Sequence, residues 1–245
     1  MKDNFSQGAR AYAQYRPTYP DNLFDFILSY VKEKDRAWDC GTGNGQSARV
    51  LSKYFKNVFA TDISQSQINN AHQENNIDYA VEPAEKTSLP NSSVDFITVA
   101  QAIHWFNFES FYAEVKRVAN PGAIIAVWTY SLLHISEEID PVISEYYSNA
   151  LSGYWDPERK YVDEHYDTIP FPFTKIASPE FKVEAWWTLE ELIGYLNTWS
   201  AVKNFIKANS YDPVPAAINK IKPLWGDSKK RQLFFPVYLK LGMIE

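Results

Sequence analysis

Five positions carry the clearest chemistry in this chain: Asp39, Gly41, Gly43 and Gly45, set at alternate positions, and Asp62, 23 residues beyond the first acid. Alternating glycines let the backbone adopt dihedrals that a Cβ forbids, and they let a ligand lie flat against the turn. The residues before the turn, 36–40, predict a short strand, and 46–55 predict a helix whose first N–H groups point at the same spot. Strand, glycine-rich turn and helix make the supersecondary unit of a nucleotide-binding α/β domain. The run 57–62 predicts a second strand that ends in Asp62. An acid at that strand end can accept both ribose hydroxyls of an adenosine, or it can cap a helix predicted over 64–72.

The first acid narrows the ligand. A dinucleotide turn needs its third glycine three residues after the second, where this chain has Gln46. It must also receive a pyrophosphate, which Asp39 repels. These two residues disfavour a nicotinamide oxidoreductase. An anion at the turn suits a ligand with positive charge and no phosphate, and S-adenosylmethionine carries an ammonium and a sulfonium. The spacing from Asp39 to Gly45 resembles the first motif of the class I S-adenosylmethionine-dependent methyltransferases.

The elements that must hold these residues follow in order. Asp21 is expected to cap a helix whose apolar face is Leu23, Phe24, Phe26, Ile27, Leu28 and Val31. Strands are predicted at 77–81 and 94–100, the latter β-branched enough to be central. Ligands bind beyond the carboxyl ends of parallel strands, so Gln101 to His104 should lie near the reacting methyl. His104 reads as a base or orienter near neutral pH, or as a structural imidazole capping the helix from Asn107. A helix over 108–119 stops at Asn120-Pro121-Gly122, and 123–130 predicts a fifth, apolar strand. Residues 131–178 interrupt the alternation with a helix over 137–151 and an irregular aromatic stretch. A half-buried strand at 181–187 follows, then a long helix opened by the capping box Thr188 to Glu191, a short helix at 213–224 and a last strand at 232–241. The expected fold is α/β: a Rossmann-like, seven-stranded, mostly parallel sheet with an antiparallel final strand, helices on both faces and a small helical, aromatic cap.

Three further stretches resemble one branch of that family, the relatives of trans-aconitate methyltransferase. They are Tyr-Arg-Pro-x-Tyr-Pro at 15–20, Ala-Gln-Ala-Ile-His-Trp-Phe at 100–106 with the helix after it, and Tyr-Leu-Asn-Thr-Trp-Ser at 195–200. The resemblance covers roughly residues 5–240. It implies S-adenosylmethionine as cofactor, S-adenosylhomocysteine as product, and methyl ester formation on a small carboxylic acid by in-line displacement. The expected cofactor-binding set is Arg16, Asp39, Gly41, Gly43, Gly45, Asp62, Ile63 against the adenine ring, Ala84, Glu85 and Gln101. In the family an acid precedes the alanine of the adenine loop; here Pro83 does, which leaves the adenine amino group to Glu85 or a backbone group. The expected acceptor site is Tyr15, His104, Trp105 and Trp199, with His104 as the catalytic candidate. Arg16, Arg159, Lys160 and Arg231 are candidate carboxylate partners.

The whole chain fits this reading. Its 245 residues are expected to form one domain: an arm or lid over 1–20, a cofactor core over 21–130, an acceptor cap over 131–178, and the rest of the sheet and helices over 179–245. A net charge of −6 argues against a non-specific nucleic-acid partner. The single cysteine, Cys40, fits a reducing compartment, and without an apolar run of membrane length the expected location is cytoplasmic, as a monomer or homodimer. His72, His104, His134 and His165 are scattered, and methyl transfer from a sulfonium requires no metal. Other readings are an O-, N- or C-methyltransferase on a quinone or lipid precursor, and a non-catalytic S-adenosylmethionine-binding or interaction domain.

Overall fold

The computed structural model describes residues 15–245; the first fourteen residues of the expected arm, Tyr12 among them, lie outside these. Strands β1 (Arg36–Cys40), β2 (Asn57–Asp62), β3 (Ile77–Val81), β4 (Val94–Ala100) and β5 (Ala119–Tyr130) pair in parallel in the order β3-β2-β1-β4-β5. The last strand, β8 (Arg231–Met243), runs antiparallel beside β5. Its other edge takes β6 (Thr174–Ile176) and β7 (Phe181–Trp187) end to end: Leu241 pairs with Ile176, and Val237 with Phe181. The sheet therefore has eight strands in seven positions. The edge strand is interrupted at Ala177-Ser178-Pro179-Glu180, where Pro179 has no N–H to give to the ladder.

Period-two alternation divides the core between the two faces of the sheet. Phe96, Ala126 and Trp128 point to one side, with helices α1 (Asp21–Leu28) and α2 (Gln46–Leu51); Ile97, Val99, Ile125 and Val127 point to the other, with α4 (Phe108–Val118). A short helix, α3 (Gln65–Asn69), links β2 to β3. No helix among the described residues is long and apolar enough to cross a membrane.

Several boundaries differ from expectation, and helix α2 ends at Leu51 ahead of the expected 55. Asp21 is the first helical residue of α1, Pro20 stands at the N-cap, and no side chain caps there. Helix α3 stops before the expected 72 because the chain turns back to the glycine loop, where the His72 N–H reaches the Asn44 carbonyl at 3.3 Å. Strand β5 begins at Ala119, ahead of the proline, because Gly122 (φ 80°) absorbs a register irregularity between the Val94–Ala119 and Phe96–Ile124 pairs. The helix expected over 137–151 is α5 (Asp140–Glu145) continued by a π turn, Tyr146–Ala150, before the short α6 (Arg159–Asp163).

The long helix after Thr188 is two helices, α7 (Leu189–Asn197) and α8 (Ser200–Asn209), followed by α9 (Val214–Trp225). The Thr198 hydroxyl donates to the Tyr195 carbonyl at 2.6 Å, and Trp199 takes an extended backbone (ψ 134°). The break drives the Trp199 ring into a cluster with Tyr146, Tyr147, Trp155 and Tyr195.

The start of α7 is locally encoded. Thr188 Oγ1 accepts the Glu191 N–H, and Glu191 Oε2 accepts the Thr188 N–H at 2.7 Å. Thr188→Ala is expected to cost about 1 kcal/mol in a urea unfolding curve with unchanged slope; an unshifted midpoint would show that this box contributes nothing to stability.

Candidate active site

The β1–α2 turn is held from three directions. Gly41, Gly43 and Gly45 all have positive φ. At Gly41 a Cβ would lie 2.5 Å from the Ala102 Cβ, and at Gly45 it would lie 2.3 Å from the Tyr79 hydroxyl, so both positions are closed to a side chain for steric as well as dihedral reasons. Beneath the turn Asp39 is 1% exposed. One of its oxygens accepts the Thr98 hydroxyl at 2.8 Å; the other accepts the Thr42 hydroxyl at 2.5 Å and the Ala48 N–H at 3.0 Å. Burial pushes its pKa up to about 6 despite these bonds. Its charged form therefore opposes folding increasingly as pH rises from the unfolded value towards 6.

Asp62 closes the turn from β2. One oxygen accepts the Gly43 N–H at 2.9 Å and the other the Ser64 N–H at 2.8 Å. The cap of α3 is the Ser64 hydroxyl, which accepts the Gln67 N–H. Asp62 thus faces the glycine turn, and it lines a cleft of about 960 Å³ at the carboxyl ends of the parallel strands. Arg16, Asp39, Gly41, Gly43, Ile63, Ala84, Gln101 and Trp105 line the same cleft. Gly45 sits below it against Tyr79. Glu85 is turned to the start of α4, where Oε1 accepts the Asn107 N–H at 2.9 Å. Two cleft residues that the sequence did not single out are Tyr130 and Glu82. Tyr130 ends a parallel strand, a position that could have flagged it, and its hydroxyl accepts Arg16 Nη1 at 2.7 Å.

Gln101 stands in the left-handed region (φ 56°), unusual for a residue with a Cβ. Its N–H bonds the Trp128 carbonyl, its side-chain amide donates to the Tyr130 carbonyl, and its amide oxygen accepts the Thr129 hydroxyl. β5 thereby fixes the point where the cleft opens into a second pocket of about 510 Å³, which shares Arg16, Gln101 and Trp105 with it. His104, Trp155, Asp156, Arg159, Trp199 and Ser200 complete that pocket.

His104 is 7% exposed, and its Nδ1 lies 2.7 Å from the Tyr166 hydroxyl. Burial, with a smaller effect from nearby Arg159, lowers its pKa to about 3. The imidazole is neutral throughout the physiological range. Its effect on stability is opposite to that of Asp39, since folding is disfavoured as pH falls from 6.5 towards 3. Tyr15 packs against Gly194, where a Cβ would lie 2.6 Å from its ring, and lines neither pocket. Arg231 bonds the Leu224 and Trp225 carbonyls, and the Lys160 ammonium lies 4.8 Å from the Tyr161 ring centre; neither reaches the site.

The cleft suits an adenosine-bearing cation. Backbone without side chains borders it, a carboxylate stands at the end of β2, and Arg16 is the one Lys or Arg among its described lining residues. Comparison with known proteins agrees. Residues 38–127 match the family described as methyltransferase domain. A Dictyostelium discoideum protein assigned as a methyltransferase is 39% identical over 99% of this chain and 95% of its own length. A Saccharomyces cerevisiae protein assigned as an S-adenosylmethionine-dependent methyltransferase is 31% identical over 49% of this chain and 44% of its own. A solved structure from Anaeromyxobacter dehalogenans, assigned as a type II methyltransferase, superposes with a TM-score of 0.87 at 37% identity, covering 94% of this chain and 98% of that one. The chain belongs to the class I S-adenosylmethionine-dependent methyltransferases. It is an enzyme, and S-adenosylmethionine is its cofactor.

Asp62→Ala is expected to weaken S-adenosylhomocysteine binding by about 1–3 kcal/mol, through loss of charge-assisted bonds. Calorimetric titration measures this directly, and wild-type affinity in the variant would remove Asp62 from the binding site.

Proposed function

We propose that this methyltransferase esterifies a small carboxylic acid. The observation that carries the reading is that a neutral, buried His104 and the guanidinium of Arg159 line the same pocket, which adjoins the cofactor cleft. A carboxylate is already an anionic nucleophile, so this acceptor needs no base, and a histidine with a pKa near 3 is unsuited to be one. The resemblance to trans-aconitate methyltransferases points to the same acceptor class.

The roles of the residues follow from their placement. Asp62 accepts the ribose hydroxyls, and Ile63 and Ala84 flank the adenine. Gly41 and Gly43 let the backbone approach the ligand, with Gly45 and Asp39 setting the turn beneath. Arg16 pairs with the carboxylate at the junction of the two pockets while Tyr130 and Tyr15 hold the segment that carries it. Glu85 acts through the Asn107 N–H, and Gln101 orients the wall between the pockets. When bound, S-adenosylmethionine supplies a methyl group already activated on a sulfonium. The protein's part is to align the acceptor oxygen with that methyl and keep water out. Trp105 and Trp199 do the second. If Tyr166 donates its hydroxyl proton to Nδ1, His104 carries its own proton on Nε2 and orients the acceptor as a donor. The chain works as one domain, with 21–130 holding the cofactor and 131–178 supplying Trp155, Asp156 and Arg159 to the acceptor.

The test is transfer of labelled methyl from S-adenosylmethionine to a panel of small carboxylic acids, phenols and amines, followed by mild base. Release of the label as methanol supports esterification, and base-stable label on a phenol or amine overturns it. Turnover is expected to show no inflection from His104 between about pH 5.5 and 8, while His104→Ala keeps cofactor affinity and lowers turnover. A loss of activity centred near 6.5 that vanishes in His104→Ala would establish general-base catalysis instead.

A further inference from the structure

The acceptor pocket contains one group that esterification of a simple acid does not use. Asp156 lines it, and Asp156 Oδ2 is buried without a hydrogen-bond partner. A carboxylate left without donors is costly; Asp156 Oδ1 also has no donor among the described residues and is the oxygen that stays accessible, so it is the one that can accept from a ligand in the pocket. The pocket's charges say what kind. Arg159 is fixed: Nε donates to the Tyr147 hydroxyl at 2.7 Å and to Asp163 at 3.3 Å, and the guanidinium lies 4.9 Å from the Trp155 ring centre and 5.3 Å from that of Tyr147. Its Nη groups have no acceptor among the described residues. The Arg159 N–H also donates to the Asp156 carbonyl at 2.9 Å, so one turn of chain sets the two side chains next to each other at the pocket.

With Arg16 and Arg159 positive, Asp156 negative and His104 neutral, the lining carries a net positive charge. That favours an anion over an amine. Of the aromatic rings nearby, those of Trp155 and Tyr147 already carry the Arg159 guanidinium. We propose that Asp156 is a specificity-determining residue, and that the acceptor is a carboxylic acid bearing a neutral hydrogen-bond donor, a hydroxyl or amide N–H, which Asp156 accepts while Arg16 and Arg159 hold the anionic end. This rests on the reading that the pocket takes an acid.

Matched probes separate the two ideas. With S-adenosylhomocysteine in saturating amount, the wild-type enzyme is titrated calorimetrically with butyrate and with 2-, 3- and 4-hydroxybutyrate. At least one hydroxy acid is expected to bind about tenfold more tightly than butyrate, because a site built to pair a hydroxyl discriminates against the analogue that lacks it. Asp156→Asn and Asp156→Ala are expected to reduce that ratio to near one, with the S-adenosylhomocysteine affinity of each variant as the check on folding. Hydroxy acids that bind no more tightly than butyrate, or a preference that survives both variants, overturn the proposal. Assaying the same acids for base-labile methyl keeps the readings apart. A preference that depends on Asp156 without ester formation sinks esterification alone, and ester formation without the preference sinks the role of Asp156 alone.

Discussion

The buried carboxylate of Asp39 is the point from which the site is assembled. It joins three elements: the Thr42 hydroxyl in the turn, the Ala48 N–H in the first turn of α2, and the Thr98 hydroxyl on the neighbouring strand β4. Each bond offsets part of the cost of removing a charge from water, yet burial still dominates and its pKa stands near 6. The arrangement sacrifices stability to fix geometry. With both Asp39 oxygens engaged, Gly41 and Gly43 border the cleft, and the Gly43 N–H goes to Asp62 on β2. Asp39 thus acts on a ligand through the turn it shapes, and its charge is added to the field of the cleft.

The second half of the site is built from different material. The cofactor cleft rests on strand ends and one loop, whereas the acceptor pocket is assembled by the cap and by a helix break. Trp199 is at the site because the Thr198 hydroxyl ends α7 and the chain becomes extended before α8. Arg159 and Asp156 come from the segment after the π turn, and the orientation of Arg159 depends on Tyr147 and Trp155. Gln101, with its left-handed backbone and bonded through its N–H and its side-chain amide to three consecutive residues of β5, lies where the two halves meet. A change of acceptor in related chains therefore need not disturb the cofactor cleft.

This division also explains what the sequence revealed. The glycine turn and Asp62 were legible because their requirements are local: dihedrals that exclude a Cβ, and a fixed spacing within one βαβ unit. The five parallel strands and the Thr188 capping box could be read for the same reason. The placing of Asp156 in one pocket with Gln101 and His104, just beyond β4, could not, since the aromatic stretch after 151 reads as irregular and meets those residues only through tertiary packing. Neither could the true stop of α7, which a threonine encodes by bonding its own preceding turn. Tyr15 and Glu85 were assigned to the site by resemblance; packing on Gly194 and a bond to the start of α4 put them one layer behind it. The eighth strand, Thr174–Ile176, falls in a stretch expected to be irregular and is recognisable only by its pairing with β8.

The most direct test is a calorimetric titration of the wild-type protein and Asp39→Asn with S-adenosylhomocysteine, using NAD as a control. The wild type should bind S-adenosylhomocysteine at micromolar strength and not bind NAD. The variant should stay folded by circular dichroism but lose about tenfold or more in affinity, since an amide cannot accept from all three donors at once. Equal affinity in the variant, or binding of NAD, would contradict the claim that this buried carboxylate sets the turn for its ligand.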